Sequence, residues 1–308
     1  MTNSGLKPYG YILTSCVWFS VMALLTHEVN LEGCPWLVVA TVRSALATII
    51  AFVLAMILGI PLVFLRPRML WIRSLAGSCS MLATFYALGN MLVSDVLTIT
   101  NTFPIWVALL SWPLAREKPS AGVWIAVLCS VSGVMIALQP DQEGFAWKPA
   151  LSAFGASFFT AVAMLGINRL RGVASLAVVV HFSAVSTLAA LAALGIQTLT
   201  WPDSLDVQTF ERGDVLAMLL AVGVTAAIGQ VFLTRAYATG SPTKVSVVAL
   251  SQVLLVMAVE AWLGRKEITP PVILGTFLVL GPVAWLMARE RRPPKAADET
   301  ELEEVAIE

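Results

Sequence analysis

Three ionisable side chains stand inside long apolar stretches of the chain: Arg43, His181 and Glu260. A charge at the centre of a bilayer costs about 2.5 kcal/mol or more, so such groups persist where they bind, pair or move charge. Arg43 lies about eight residues into its stretch, roughly 12 Å at the helical rise of 1.5 Å per residue. A guanidinium presents a rigid fork of N–H donors suited to a carboxylate or a phosphate. The competing roles are a clamp on helix ends and a side chain reaching back to the headgroups. His181 titrates near neutral pH and is a candidate proton carrier, placed early in its span and near the outer face. Its alternative role is a neutral imidazole hydrogen-bonded to a neighbouring helix. Glu260 sits one turn before Trp262 and Gly264, where a carboxyl could take up a proton when the outer face opens; otherwise it reaches the headgroups or pairs with Arg265.

Uncharged polar and aromatic residues complete the set. Asn101 and Thr102 in one stretch correspond to Ser251 and Gln252 in a later one. Gln230 shares a helical face with Thr234, as Tyr86 does with Asn90, because residues four apart stack on a helix. Trp18 and Phe158 occupy matching places in the first and sixth stretches, each followed by a further Phe. The expected substrate wall is therefore Trp18, Arg43, Tyr86, Asn101, Thr102, Phe158, Gln230, Ser251 and Gln252. Glu260 and His181 are the proton-coupling candidates. For the uncharged residues the alternative is ordinary interhelical hydrogen bonding and lipid-facing packing.

Long helices must position these groups. Of 308 residues, 58% are hydrophobic and 12% charged, about half the charge of a soluble domain. Nineteen basic and 19 acidic residues cancel, but 11 of these 38 charges fall in residues 289–308. Too few remain to cover a water-soluble globule, which excludes a soluble enzyme, a nucleic-acid binder and a disordered chain. Crossing a bilayer takes around 20 mostly apolar residues. Ten such spans are expected, near 9–26, 36–58, 72–92, 96–115, 121–138, 150–168, 175–198, 214–234, 245–263 and 271–288. Residues 9–26 lack a small-residue cleavage site and are expected to be a retained span. With both termini cytoplasmic, the inner loops collect 14 Lys and Arg, Arg73 among them, and the outer loops four. That bias supports an even number of spans.

A shift of 150 residues lays Asn101-Thr102 on Ser251-Gln252, Trp112 on Trp262 and Glu117 on Glu267. Five spans then align on five, and because five is odd the halves enter the membrane from opposite sides. Such an inverted repeat is characteristic of secondary transporters, with the binding site near the midplane. The expected organisation is an all-α polytopic membrane protein of ten helices: a first five-span repeat over 1–145, a second over 146–288, and a disordered charged cytoplasmic tail over 289–308.

Other chemistries lack their motifs. Gly240-Ser241-Pro242-Thr243-Lys244 does not have the spacing of a phosphate-binding loop, and no HExxH occurs. Cys16, Cys34, Cys79 and Cys129 form neither a CxxC pair nor a metal-ligand spacing, so neither a metal nor a cofactor is expected.

The chain resembles the drug/metabolite transporter superfamily, and within it the EamA-type exporters. The resemblance rests on Arg43 with its neighbours, Phe85-Tyr86-Ala87-Leu88, Thr102-Phe103-Pro104-Ile105 and Leu114-Ala115-Arg116-Glu117. In the second half it rests on Arg235-Ala236-Tyr237 and Leu263-Gly264-Arg265-Lys266-Glu267. One departure is Leu254, which stands where the repeat mate has Pro104, so the two gates are expected to bend differently. The resemblance implies a gradient-driven transporter in a bacterial inner membrane, exporting an amino acid or related metabolite, with protons as a candidate coupling ion. The stretch Arg73 to Pro104 also resembles relatives that take up S-adenosylmethionine-like cofactors, which leaves uptake or exchange as an alternative. A channel or membrane receptor is a second alternative, against which the repeat argues.

Overall fold

The computed structural model describes residues 6–90, 93–115, 118–138, 146–200, 213–264 and 267–291. Among them every regular element is a helix: α1 (Lys7–Leu31), α2 (Trp36–Ile57), α3 (Arg68–Leu88), α4 (Val93–Thr100), α5 (Phe103–Leu110), α6 (Ala121–Leu138), α7 (Trp147–Asn168), α8 (Ser175–Thr200), α9 (Gly213–Thr239), α10 (Pro242–Ala249), α11 (Ser251–Trp262) and α12 (Pro270–Arg291). Glu117, Arg212, Arg265, Lys266 and the tail over 292–308 lie outside the described residues.

The stops between helices are local. Gly33 takes φ of 86° just past α1, letting Cys34 N–H reach Val29 O at 3.3 Å; Pro35 follows and α2 begins. Gly59, at φ 63°, ends α2 the same way, with Ile60 N–H on Ala55 O at 2.9 Å. A residue with a Cβ is strained at these angles, so glycine takes the turn that satisfies the last carbonyls.

The fourth and ninth expected spans are each broken near their middle. The fourth divides into α4 and α5 at Asn101-Thr102, with Pro104 in the first turn of α5, and runs on into a π-helical turn over Ser111–Ala115. The ninth divides into α10 and α11 at Leu250 without any proline. Both are therefore interrupted, by different chemistry: in α5 the proline has no N–H to offer the preceding turn, whereas at Leu250 the ladder is interrupted with all its N–H groups present.

Among the described residues nine helical stretches are long and apolar enough to cross a membrane. The remaining span, the third expected one at 72–92, is α3, which begins four residues earlier at Arg68 and encloses Arg73. Its 21 residues suffice for a crossing, but its serines and two arginines make it less apolar than the rest. The serines bind its neighbours: Ser78 Oγ lies 2.8 Å from Ser186 Oγ on α8, and Ser80 Oγ 2.6 Å from Thr160 Oγ1 on α7. Outward faces carry Ile49, Phe52, Leu128, Leu199, Leu220 and Phe277, the apolar coat that a lipid environment requires.

Helix neighbours come in matched pairs. α1 packs along α9 as α3 packs along α7; α2 meets α9 as α8 meets α3; α1 meets α10 and α11 as α7 meets α4 and α5. α2 packs on α8, and α6 on α12. Exchanging the first five spans for the last five leaves this pattern unchanged. The α6–α12 pair approaches closely at Gly133, where an added Cβ would meet Gly275 O at 2.8 Å.

Candidate functional site

Every span except α6 and α12 contributes to one interior cavity of about 260 Å³. Hydroxyls of α1 tie its wall together. Ser15 Oγ donates to Gly229 O on α9 at 2.9 Å, and Ser20 Oγ reaches Gln252 O at 3.3 Å, beside the break before α11. The other break reaches the cavity through Asn101, whose Nδ2 donates to Leu97 O at 2.7 Å and so satisfies a carbonyl at the end of α4. Both breaks thus open onto the same space.

Of the expected wall residues, Arg43, Asn101, Gln230 and Gln252 line the cavity. The other five are not in its lining. Tyr86 packs edge-on against Trp36 at the far end of α3, with ring centroids 5.9 Å apart. Phe158 joins Trp106 and Phe159 in an aromatic group on the outer face of α5 and α7. Thr102 Oγ1 donates to Ile99 O at 2.6 Å, serving the break itself. Ser251 is buried at the second break and its hydroxyl has no partner among the described residues. Trp18 is half-buried on α1, whereas Phe19, one residue on, faces the cavity.

Arg43 reaches inward from α2. Its Nε donates to Met22 Sδ at 3.2 Å, a weak acceptor, and its guanidinium stands 5.6 Å from the centroid of Phe85. The second cation is Arg73, which sequence reading assigned to a loop. It lies inside α3, is 1% exposed, and also lines the cavity. Its guanidinium stacks 4.1 Å from the centroid of Phe182 on α8. Its Nε and Nη1 have no hydrogen-bond partner among the described residues. Gly77 makes the room: a Cβ there would collide with Arg73 Nη1 and with the Phe182 ring. Arg73 leaves 13 basic residues, against four, in the loop count. Its position was readable in one signal, the spacing Arg73, Gly77, Ser80, Thr84, which places a polar stripe on one helical face of an otherwise apolar segment.

None of the cavity-lining residues is Asp or Glu. A cation–π contact offsets about 2 kcal/mol of the desolvation of a buried cation, less than the several kcal/mol that an ion loses on leaving water. The cavity therefore holds two cations with no acidic counter-charge in its lining.

His181 is placed differently from expectation. It lies near the beginnings of α3 and α8, on the side where Arg66 and Arg68 stand, and not toward the opposite face. The reason is topological: α8 enters from the same side as α3. Its Nδ1 lies 2.8 Å from Ser74 Oγ and its Nε2 3.1 Å from Phe64 O. A carbonyl can only accept, so Nε2 carries the proton, and Nδ1 accepts from the serine. The ring also stands edge-on to Trp71, centroids 4.7 Å apart. Glu260 occupies the last turn of α11, outside the cavity lining. A larger cavity, about 430 Å³, sits at helix ends beside Lys118, Lys244 and Arg289, and holds none of the candidate residues. No group of three or more His, Cys, Asp or Glu suited to a metal occurs among the described residues.

Comparison with known proteins agrees with this architecture. The EamA-like transporter family matches residues 6–139. A pseudopaline exporter, CntI, of Pseudomonas aeruginosa (strain UCBPP-PA14) is 29% identical over 230 residues, covering 74% of this chain and 78% of the exporter. A riboflavin transporter of Rhizobium johnstonii is 28% identical over 149 residues, 47% of this chain and 45% of that protein. A crystal structure at 16% identity superposes with a TM-score of 0.77, covering 92% of this chain and 99% of the other, which shows the shared fold.

Proposed function

Starting from the chain's membership of the drug/metabolite transporter superfamily, we propose that it is a secondary active transporter that moves a small organic metabolite out across the inner membrane by alternating access. Residues 1–145 and 146–288 act as inverted repeats, and both termini face the cytoplasm, where the Lys and Arg bias puts them. The observation that carries this reading is the cavity itself: it is walled by both halves and touched by a broken helix from each. Broken spans meeting at a central site are the arrangement by which transporters expose one site to either face in turn. Relatives named as an exporter of pseudopaline and as a transporter of riboflavin support a metabolite as cargo.

The cavity bears on the alternatives. An S-adenosylmethionine-like cargo carries a sulfonium cation, which would meet two guanidinium groups without a carboxylate to balance them. At His181, Nε2 donates to Phe64 O in either protonation state, and a proton arriving at Nδ1 would turn its contact with Ser74 Oγ from acceptor to donor. The deciding experiment is efflux from proteoliposomes loaded with a defined mixture of amino acids and organic acids. Saturable release of at least one component, accelerated by the same compound outside, is expected of a carrier. Flux that rises linearly with concentration and shows no such acceleration belongs to a channel and overturns the reading.

A further inference from the structure

Resting on the transporter reading above, the geometry points to a cargo with two anionic groups joined by a spacer, one held by Arg43 and the other by Arg73. Both arginines line one cavity that contains no carboxylate. Arg73 is the most constrained: 1% exposed, stacked on Phe182, with Nε and Nη1 unpartnered among the described residues. Arg43 has only a thioether sulfur as acceptor for its Nε. Two desolvated guanidinium groups repel each other and each lacks a counter-charge, so an anion that supplies one relieves both costs.

The two sites lie at different depths along α3. The Arg73 guanidinium rests beside Gly77, and the Arg43 guanidinium stands near Phe85. Eight residues separate these reference points, about 12 Å of helix backbone at 1.5 Å per residue; Phe182, which covers Arg73, also shares a narrow pocket with Arg43, so the forks approach each other more closely than their reference points. Between them the wall is Met81 and Phe182, apolar surface that suits a hydrocarbon spacer, with Ser80 and Gln230 alongside. A cargo with one negative charge satisfies one arginine and leaves the other bare.

The test uses purified full-length protein and thermal-shift titration with adipate, its monoamide and its diamide, with succinate and suberate as shorter and longer diacids. A ligand that binds only the folded protein raises its melting temperature in proportion to occupancy. Adipate or suberate is expected to bind about tenfold or more tightly than the monoamide, and the diamide weakest of all. Arg43→Gln and Arg73→Gln should each bring the diacid down to the monoamide's affinity while the monoamide changes by less than about threefold. Arg73→Lys, which keeps the charge and loses the fork, should fall between and serves where the glutamine variant does not fold.

Equal binding of adipate and its diamide overturns the inference, as does an advantage of diacid over monoamide that survives both arginine substitutions. Equal binding of diacid and monoamide in the wild-type protein points instead to one anion passed from arginine to arginine, and overturns it too. So does the absence of any shift with all three diacids. Saturable flux of a neutral compound alongside any of these results leaves the carrier standing without a dianionic cargo. Diacid binding without saturable flux removes the carrier instead.

Discussion

Arg43 and Arg73 face one cavity from adjacent helices, yet they are held in different ways. Arg43 sits well within a strongly apolar helix, is half-buried, and has a thioether and an aromatic ring beside it. Arg73 sits in the least apolar of the long helices, near its beginning, and is almost fully enclosed. What encloses it comes from elsewhere in the chain. Phe182 covers the guanidinium from α8, and Gly166 allows α7 to approach within 3.2 Å of where its own Cβ would meet Arg73 Cβ. The comparison teaches that an apolar neighbourhood in sequence and burial in space are different properties. The arginine that looked membrane-embedded is the more accessible of the two, and the one that looked like a loop charge is the more deeply buried.

That difference predicts an order of effects. Arg73→Ala removes the charge with fewer alternatives around it, so flux in proteoliposomes should fall about 100-fold or more, with the protein still monodisperse in detergent; a loss smaller than that of Arg43→Ala would reverse the comparison. Arg43→Ala should raise the half-saturating concentration of an anionic substrate about tenfold and leave a neutral one unchanged. Equal losses for both substrates would make Arg43 a clamp on its helix neighbours. Gly77→Ala should displace the Arg73 guanidinium and the Phe182 ring while leaving Arg43 untouched; half-saturation is expected to rise several-fold, and the added effect of Arg73→Ala in the double variant should shrink accordingly.

Smaller effects on transport are expected away from the cavity. His181→Ala breaks the contacts to Ser74 and Phe64 and should lower stability by about 1–3 kcal/mol, read as a reduced melting temperature. Glu260→Gln should change flux least, within about twofold. Loss of pH-driven flux in either variant, with exchange intact, would make that residue the proton carrier.

Several of these features could be read from residue types alone. Arg43 announced itself because a charged residue in an otherwise unbroken apolar helix has no other plausible neighbours than protein or cargo. Asn101 and Gln252 were found because a repeat places equivalent polar residues at equivalent depths, and both fall at helix breaks. Tyr86 and Trp18 show what residue type cannot decide. Each adjoins a cavity-lining phenylalanine, Phe85 or Phe19, but one helical step, about 100°, turns it away from the cavity. His181 is a second case. Its position in a span was clear, but the face it approaches depends on the direction of that helix, and its two hydrogen-bond partners lie about 110 residues away in the chain.

By itself the sequence determined the membrane class and the helical spans, because apolar length and charge scarcity are local properties that lipid enforces on every residue. Tertiary structure alone decided which faces of those helices meet. It enclosed Arg73 between α7 and α8, broke the ninth span at Leu250 without a proline there, and brought two cations to one cavity with no acid in its lining. Side-chain burial is a property of several helices packed together, and spacing along one of them fixes only the direction in which a residue points.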